Sequence, residues 1–168
     1  MAAAVASRID EADIFIATAA VADYRPSQAW PEKIKKDQPH LTLELEKTPD
    51  ILAGVRQQHP DVFCVGFAAE TTDLERYARA KLEDKRLEMV VANQVGPAAT
   101  DTDGTFGSET NALQVFWPGG ETHLPLAPKA QLARQLIPVI VSRYEQRDRT
   151  AAGKGKIVKL NQASRPKT

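Results

Sequence analysis

A loop of charges follows Asp23, which is joined by Arg25, Lys33, Lys35 and Lys36, with Lys33 ten residues beyond the acid. A carboxylate at Asp23 among several mobile cations could hold an anionic substrate or a metal–phosphate complex; a solvated charged loop is the plain alternative. A second cation pair is sharper. Lys81 falls seven residues after Leu74 and Lys85 eleven, so at ~100° per residue both lie within ~20° of the centre of the apolar stripe of Leu74, Tyr77, Ala78 and Leu82. An i, i+4 lysine pair on an inward face presents two ammonium groups to one polyphosphate, unless the side chains snorkel outward at the negative helix end. Gly66-Phe67-Ala68-Ala69 leads towards that helix, with small residues that permit close backbone approach and a ring that either stacks on a base or packs in the core. Ala17-Thr18-Ala19-Ala20 leaves similar room for a ligand. Thr48-Pro49-Asp50, ahead of Ile51 and Leu52, offers a capping hydroxyl, a first-turn proline and an acid at a helix start. These features converge on a nucleotide site. Neither a G-x-x-x-x-G-K-[ST] loop nor a G-x-G-x-x-G turn is present, so any nucleotide is held by other means.

The elements that must position these residues follow from hydrophobic patterning. Residues 13–17, 62–67 and 87–92 are short, nearly continuous apolar runs, as expected of strands covered on both faces, and helical patterns lie between them. The spacing predicts helices over 49–58, 73–86 and 128–146, the last kinked or divided by Pro138. Leu41 to Glu46 alternates like a half-exposed strand. Ala112 to Trp117, turning at Pro118-Gly119-Gly120 into residues 121–124, reads as a hairpin. The fold class is therefore α/β, a Rossmann-like three-layer domain around a parallel sheet with an added antiparallel hairpin.

Composition narrows the classes further. With 168 residues, 42% apolar and 26% charged, the chain fits one globular domain rather than a repeat array or a disordered segment. No apolar run approaches the ~18–20 residues of a membrane span, and the start lacks the basic region and cleavage site of a signal peptide, so a cytoplasmic protein is expected. Cys64 is the single cysteine, which excludes an internal disulfide and a cysteine-based metal scaffold and leaves a small buried hydrophobe. The formal net charge of zero is unevenly spread: from Arg147 onward there are seven basic residues and one acid. The expected organisation is a domain over 1–148 and a flexible basic tail over 149–168, with no nucleic-acid surface on the body and no membrane association.

The strings Ala19-Ala20-Val21-Ala22-Asp23-Tyr24-Arg25, Lys33-Ile34-Lys35-Lys36, Pro49-Asp50-Ile51-Leu52, Val65-Gly66-Phe67-Ala68-Ala69-Glu70-Thr71 and Asn111-Ala112-Leu113 resemble the phosphopantothenoylcysteine synthetase family, also called phosphopantothenate–cysteine ligase. This is the synthetase half of the bacterial bifunctional coenzyme A biosynthesis protein. The resemblance covers roughly residues 8–148. It implies a ligase in which CTP and magnesium activate the carboxylate of 4′-phosphopantothenate as an acyl-cytidylate, which cysteine's amine then converts to the amide. It implies Lys33 as the catalytic lysine of activation. Ala17, Thr18, Ala19, Asp23, Lys33, Pro49, Asp50, Ile51, Leu52, Phe67, Lys81 and Lys85 fall where the family binds CTP, and Ala20 lies beside the reacting carboxylate. The resemblance also implies that residues 33–36 belong to a mobile flap. The family also implies a homodimer, for which the 111–124 hairpin is a plausible pairing edge, and a flavin-dependent decarboxylase half in the parent protein. The family's first strand, phosphate-side loop and asparagine-bearing segment lie upstream of the matching part. The chain is therefore expected to lack its N-terminal segment and, alone, to be a catalytically incomplete nucleotide-binding or dimerisation fragment if not an active ligase. A Rossmann-like oxidoreductase is disfavoured by the missing pyrophosphate-binding turn.

Overall fold

The computed structural model describes residues 1–34, 40–95 and 108–153. In chain order the elements are α1 (Ala2–Ala6), β1 (Ile14–Ala17), β2 (Tyr24–Pro26), β3 (Leu45–Lys47), α2 (Ile51–Gln58), β4 (Phe63–Glu70), α3 (Leu74–Asp84), β5 (Met89–Gln94), β6 (Thr110–Trp117), β7 (Gly120–Pro128) and α4 (Lys129–Gly153). One sheet of five strands runs in the order β1-β4-β5-β6-β7, and β2 and β3 form a separate two-stranded ribbon. The β1–β4 and β4–β5 pairs are parallel, whereas β5–β6 and β6–β7 are antiparallel.

The apolar runs are continuous because each strand meets a helix layer on both faces. Along β4, Cys64 and Ala68 point to one side and pack with Leu52 and Val55 of α2 and Ala78 and Leu82 of α3. Phe63 and Val65 point to the other side, against Leu132, Leu136 and Ile140 of α4. The result is the expected three-layer α/β arrangement, with the hairpin extending the sheet on one edge. Cys64 is fully buried, and burial followed by the Glu88 charge pushes its thiol up to about 11, as suits a packing residue. The hairpin turns at Pro118 and Gly119; Gly119 has φ of +82°, a value that the second central position of a type II turn requires and glycine adopts without strain.

Three local expectations are corrected. Of residues 41–46, only Leu45 and Glu46 enter a strand, and Leu41, Leu43 and Leu45 are each about half exposed rather than alternating between core and solvent. Alternation specifies a pleated segment but not what covers it, and among the described residues nothing buries these three leucines. Thr48 is not the cap of α2: its hydroxyl donates to the Ala22 carbonyl, while Asp50 is the N-cap and accepts from the Ala53 amide at 3.0 Å. The last helix is neither divided at Pro138 nor ended at Gln146 but runs to Gly153. Pro138 and Arg134 are both exposed, so the carbonyl deprived of its i+4 donor can turn to water. Lys35 and Lys36 of the expected flap, and the basic tail beyond Gly153, lie outside the described residues.

Candidate functional site

The carboxyl ends of β1 and β4, the start of α2 and the inner face of α3 meet around a cavity of about 630 Å³. Open parallel sheets place ligands here because the connections diverge and leave a crevice. Ala17, Thr18, Ala19, Ala20 and Asp23 form one wall, Pro49, Asp50, Ile51 and Leu52 the second, and Phe67, Lys81 and Lys85 the third. Twelve of the thirteen residues singled out from the sequence thus surround one space. Lys33 does not line it; it is exposed on the segment after β2.

The two lysines do point inward. Lys81 Nζ donates to the Phe67 carbonyl at 2.6 Å, and Lys85 Nζ donates to Asp50 Oδ2 at 2.5 Å. Gly66 lets Leu52 and Leu87 close over β4 below the lysines: a Cβ there would come within 2.9 Å of Leu87 Cδ1 and 3.0 Å of Leu52 Cδ2, whereas Lys81 Cε would stay 3.8 Å away, an ordinary contact. Burial first, then the Lys85 ammonium, hold Lys81 below the ordinary lysine range against the pull of Glu70, Asp50 and Asp23. For Asp50, burial is the largest influence and pushes its pKa up, but the Ala53 amide and Lys85 together outweigh it and keep the carboxyl below its usual value. Asp50 is therefore an ionised partner at neutral pH, which neutralises part of the Lys85 charge and none of the Lys81 charge by direct contact.

Asp23 carries no side-chain hydrogen bond or ion pair among the described residues, while its carbonyl accepts from the Thr48 amide at 2.9 Å and fixes the loop against the start of α2. Among those residues there is no group of three or more His, Cys, Asp or Glu side chains able to hold a metal unaided. A divalent cation carried in on a polyphosphate needs only one or two carboxylates from the protein, and Asp23 fits that part.

Sequence reasoning gave no role to Asn93, Asn111 or Lys129, which also line the cavity. Asn93 had a usable signal, being an amide at the carboxyl end of a buried apolar strand. Asn111 had one as well, since it opens the Asn111-Ala112-Leu113 string that carries the resemblance, whereas Lys129 had none, because its approach depends on the hairpin folding back against β5.

The family described as "DNA/pantothenate metabolism flavoprotein C-terminal domain" matches residues 1–144. The chain is 44% identical over 155 residues to the coenzyme A biosynthesis bifunctional protein CoaBC of Escherichia coli strain K12, covering 89% of this chain and 37% of that protein. It is 39% identical over 144 residues to the CoaBC of Bacillus subtilis strain 168, covering 85% and 34%. A solved structure of the C-terminal domain of CoaBC aligns with a TM-score of 0.66 at 32% identity, over 86% of this chain and 61% of that one. The chain spans about a third of the length of these curated relatives. No helix among the described residues is long and apolar enough to cross a membrane.

Proposed function

Because the chain belongs to the DNA/pantothenate metabolism flavoprotein C-terminal domain family, we propose that it carries the CTP site of a cytoplasmic phosphopantothenate–cysteine ligase of coenzyme A biosynthesis. The observation that carries this reading is the strand-end cavity, with its inward lysine pair beside Phe67 and Asp23. In the first half-reaction a carboxylate oxygen of 4′-phosphopantothenate attacks the α-phosphorus of CTP and pyrophosphate leaves. In the second, cysteine's amine attacks the acyl carbon, loses a proton, and CMP leaves. Magnesium, when bound, offsets triphosphate charge. Lys81 and Lys85 hold the polyphosphate, Phe67 lies against the base, the small residues from Ala17 to Ala20 leave space for the acyl group, and Asp23 meets the metal-bearing side of the phosphates. For Lys33 to act in activation, its loop must bring the side chain to the cavity mouth.

The reading is tested by grafting residues 1–144 into the Escherichia coli relative in place of its matching stretch and supplying CTP, magnesium, 4′-phosphopantothenate and cysteine. Pyrophosphate release that requires phosphopantothenate is the expected result. CTP binding without release, in the chimera and in the chain alone, would leave a nucleotide-binding module and no ligase.

A homodimer belongs to the same proposal, as does a flavin-dependent decarboxylase half in the parent protein. The dimer is supported by the exposed apolar surface of the ribbon region, where Tyr24, Trp30, Leu41, Leu43 and Leu45 are each 50–56% exposed, a concentration unusual for a surface that stays in water. β7 is one of the two edge strands of the main sheet among the described residues, β1 being the other. Sedimentation of the chain should give a dimer, and Leu41→Ser with Leu43→Ser should give a monomer. A dimer indifferent to both substitutions would move the interface to β7.

A further inference from the structure

At the other end of the sheet, before the first residues of β4 and β5 and beside the hairpin turn, lies a separate cleft of about 930 Å³ lined by five arginines and two glutamates. Three of the arginines are engaged. Arg56 and Arg147 both reach Glu88, at 3.2 and 3.7 Å, and Glu88 Oε2 accepts from the Cys64 amide at 2.8 Å. Arg79 pairs with Glu75 at 2.8 Å and with Glu121. The remaining two, Arg86 and Arg143, have capacity left.

The Arg143 guanidinium carbon lies over the Trp117 ring, 4.0 Å from its centroid, and one Nη donates to Gln146 Oε1 at 2.9 Å. Its Nε is buried and has no hydrogen-bond partner. A guanidinium nitrogen shut away from water without an acceptor is costly unless something else supplies one. Arg86 makes no side-chain hydrogen bond or ion pair among the described residues, and its φ is +52°. That conformation closes α3: the Arg86 amide donates to the Glu83 carbonyl at 3.0 Å and the Leu87 amide to the Leu82 carbonyl at 2.9 Å. Glycine is the residue that fits this left-handed position after a helix, and an arginine there carries a Cβ at positive φ, which is strained. Strain held at a residue whose side chain has no structural partner is a mark of function.

We propose that this cleft is a second ligand site, which takes a phosphate group of a small anionic metabolite between Arg86 and Arg143. Arginine forks match the geometry of phosphate oxygens, the lining carries three more positive than negative side chains, and Trp117 holds one fork rigid. The inference does not depend on the ligase reading.

Inorganic pyrophosphate, with citrate as the carboxylate control, is titrated into the full chain while the indole N–H of Trp117 is followed by NMR and assigned with Trp117→Phe. Pyrophosphate should move that signal saturably and citrate at least tenfold more weakly. Arg86→Gly should weaken the pyrophosphate response at least tenfold while raising the melting temperature by about 2–4 °C, since it removes left-handed strain. Arg143→Gln should weaken it similarly, and Lys81→Ala in the other cavity should leave it intact. The proposal is overturned if the indole signal does not respond, if citrate matches pyrophosphate, if Lys81→Ala abolishes the response, or if Arg86→Gly lowers the melting temperature and leaves binding unchanged.

Discussion

Lys33→Gln is expected to slow acyl-cytidylate formation by roughly 100–1,000-fold, the scale of losing one charged group that faces developing transition-state charge. The same change should leave stability within about 0.5 kcal/mol, because Lys33 is exposed and outside the packed layers. Few substitutions separate chemistry from folding so cleanly. Activation of a carboxylate by CTP brings an anion against a polyanion, so a cation delivered to the mouth of the cavity lowers the barrier without having to hold either substrate beforehand. Glutamine keeps a polar N–H donor of nearly the same reach but removes the charge. Rapid-quench analysis with labelled CTP, in the chimera with the Escherichia coli relative, should show little acyl-cytidylate. Normal build-up of the intermediate with only the cysteine step slowed would remove Lys33 from activation.

Loss of the Lys81 ammonium is expected to weaken CTP binding by about 1–3 kcal/mol, or roughly 5- to 150-fold in Kd, the scale of a hydrogen bond to a charged group. Lys85→Ala should cost less. Lys85 is already paired with Asp50 at 2.5 Å, so its removal takes away a partly neutralised charge together with an ion pair worth at most ~1 kcal/mol of stability. Lys81 is held by a carbonyl, keeps its full charge, and sits below the ordinary lysine range because of burial and Lys85. CTP favours the protonated form. Affinity should therefore be greatest below the lowered Lys81 value and decline as pH rises through it, sooner than an ordinary lysine would allow, and Lys81→Ala should remove that decline. Calorimetry across neutral to alkaline pH measures both effects. Variants that bind CTP normally but melt much earlier would make the lysines structural.

The parallel core was legible because Val62 to Phe67 and its neighbours are apolar at every position, a pattern that requires cover on both faces. The inward lysine pair was legible for a related reason: helical periodicity places Lys81 and Lys85 on the stripe that Leu74, Ala78 and Leu82 define, and no tertiary knowledge is needed to see the conflict. Leu41 to Leu45 misled, since alternation is a property of the strand while burial is a property of its neighbours. Asp50 rather than Thr48 is the cap because α2 begins at Ile51, two residues later than the proline suggested, while the Thr48 hydroxyl donates to the Ala22 carbonyl 26 residues away. The arginine cleft was invisible for a deeper reason. Arg56, Arg86, Arg143 and Trp117 come from two helices, a helix end and a hairpin, and only the folded chain brings them together.

The account turns on the strand-end cavity being a CTP site, and calorimetry of the intact chain with CTP and then ATP, in magnesium, addresses that claim most directly. Fixed donors and acceptors of the Ala68 and Ala69 backbone beside Phe67 suit the edge of a pyrimidine. The account predicts one CTP per chain, at least tenfold tighter than ATP, with the heat lost in Lys81→Ala. Equal affinity for the two nucleotides, or CTP binding that Lys81→Ala leaves untouched, would contradict it.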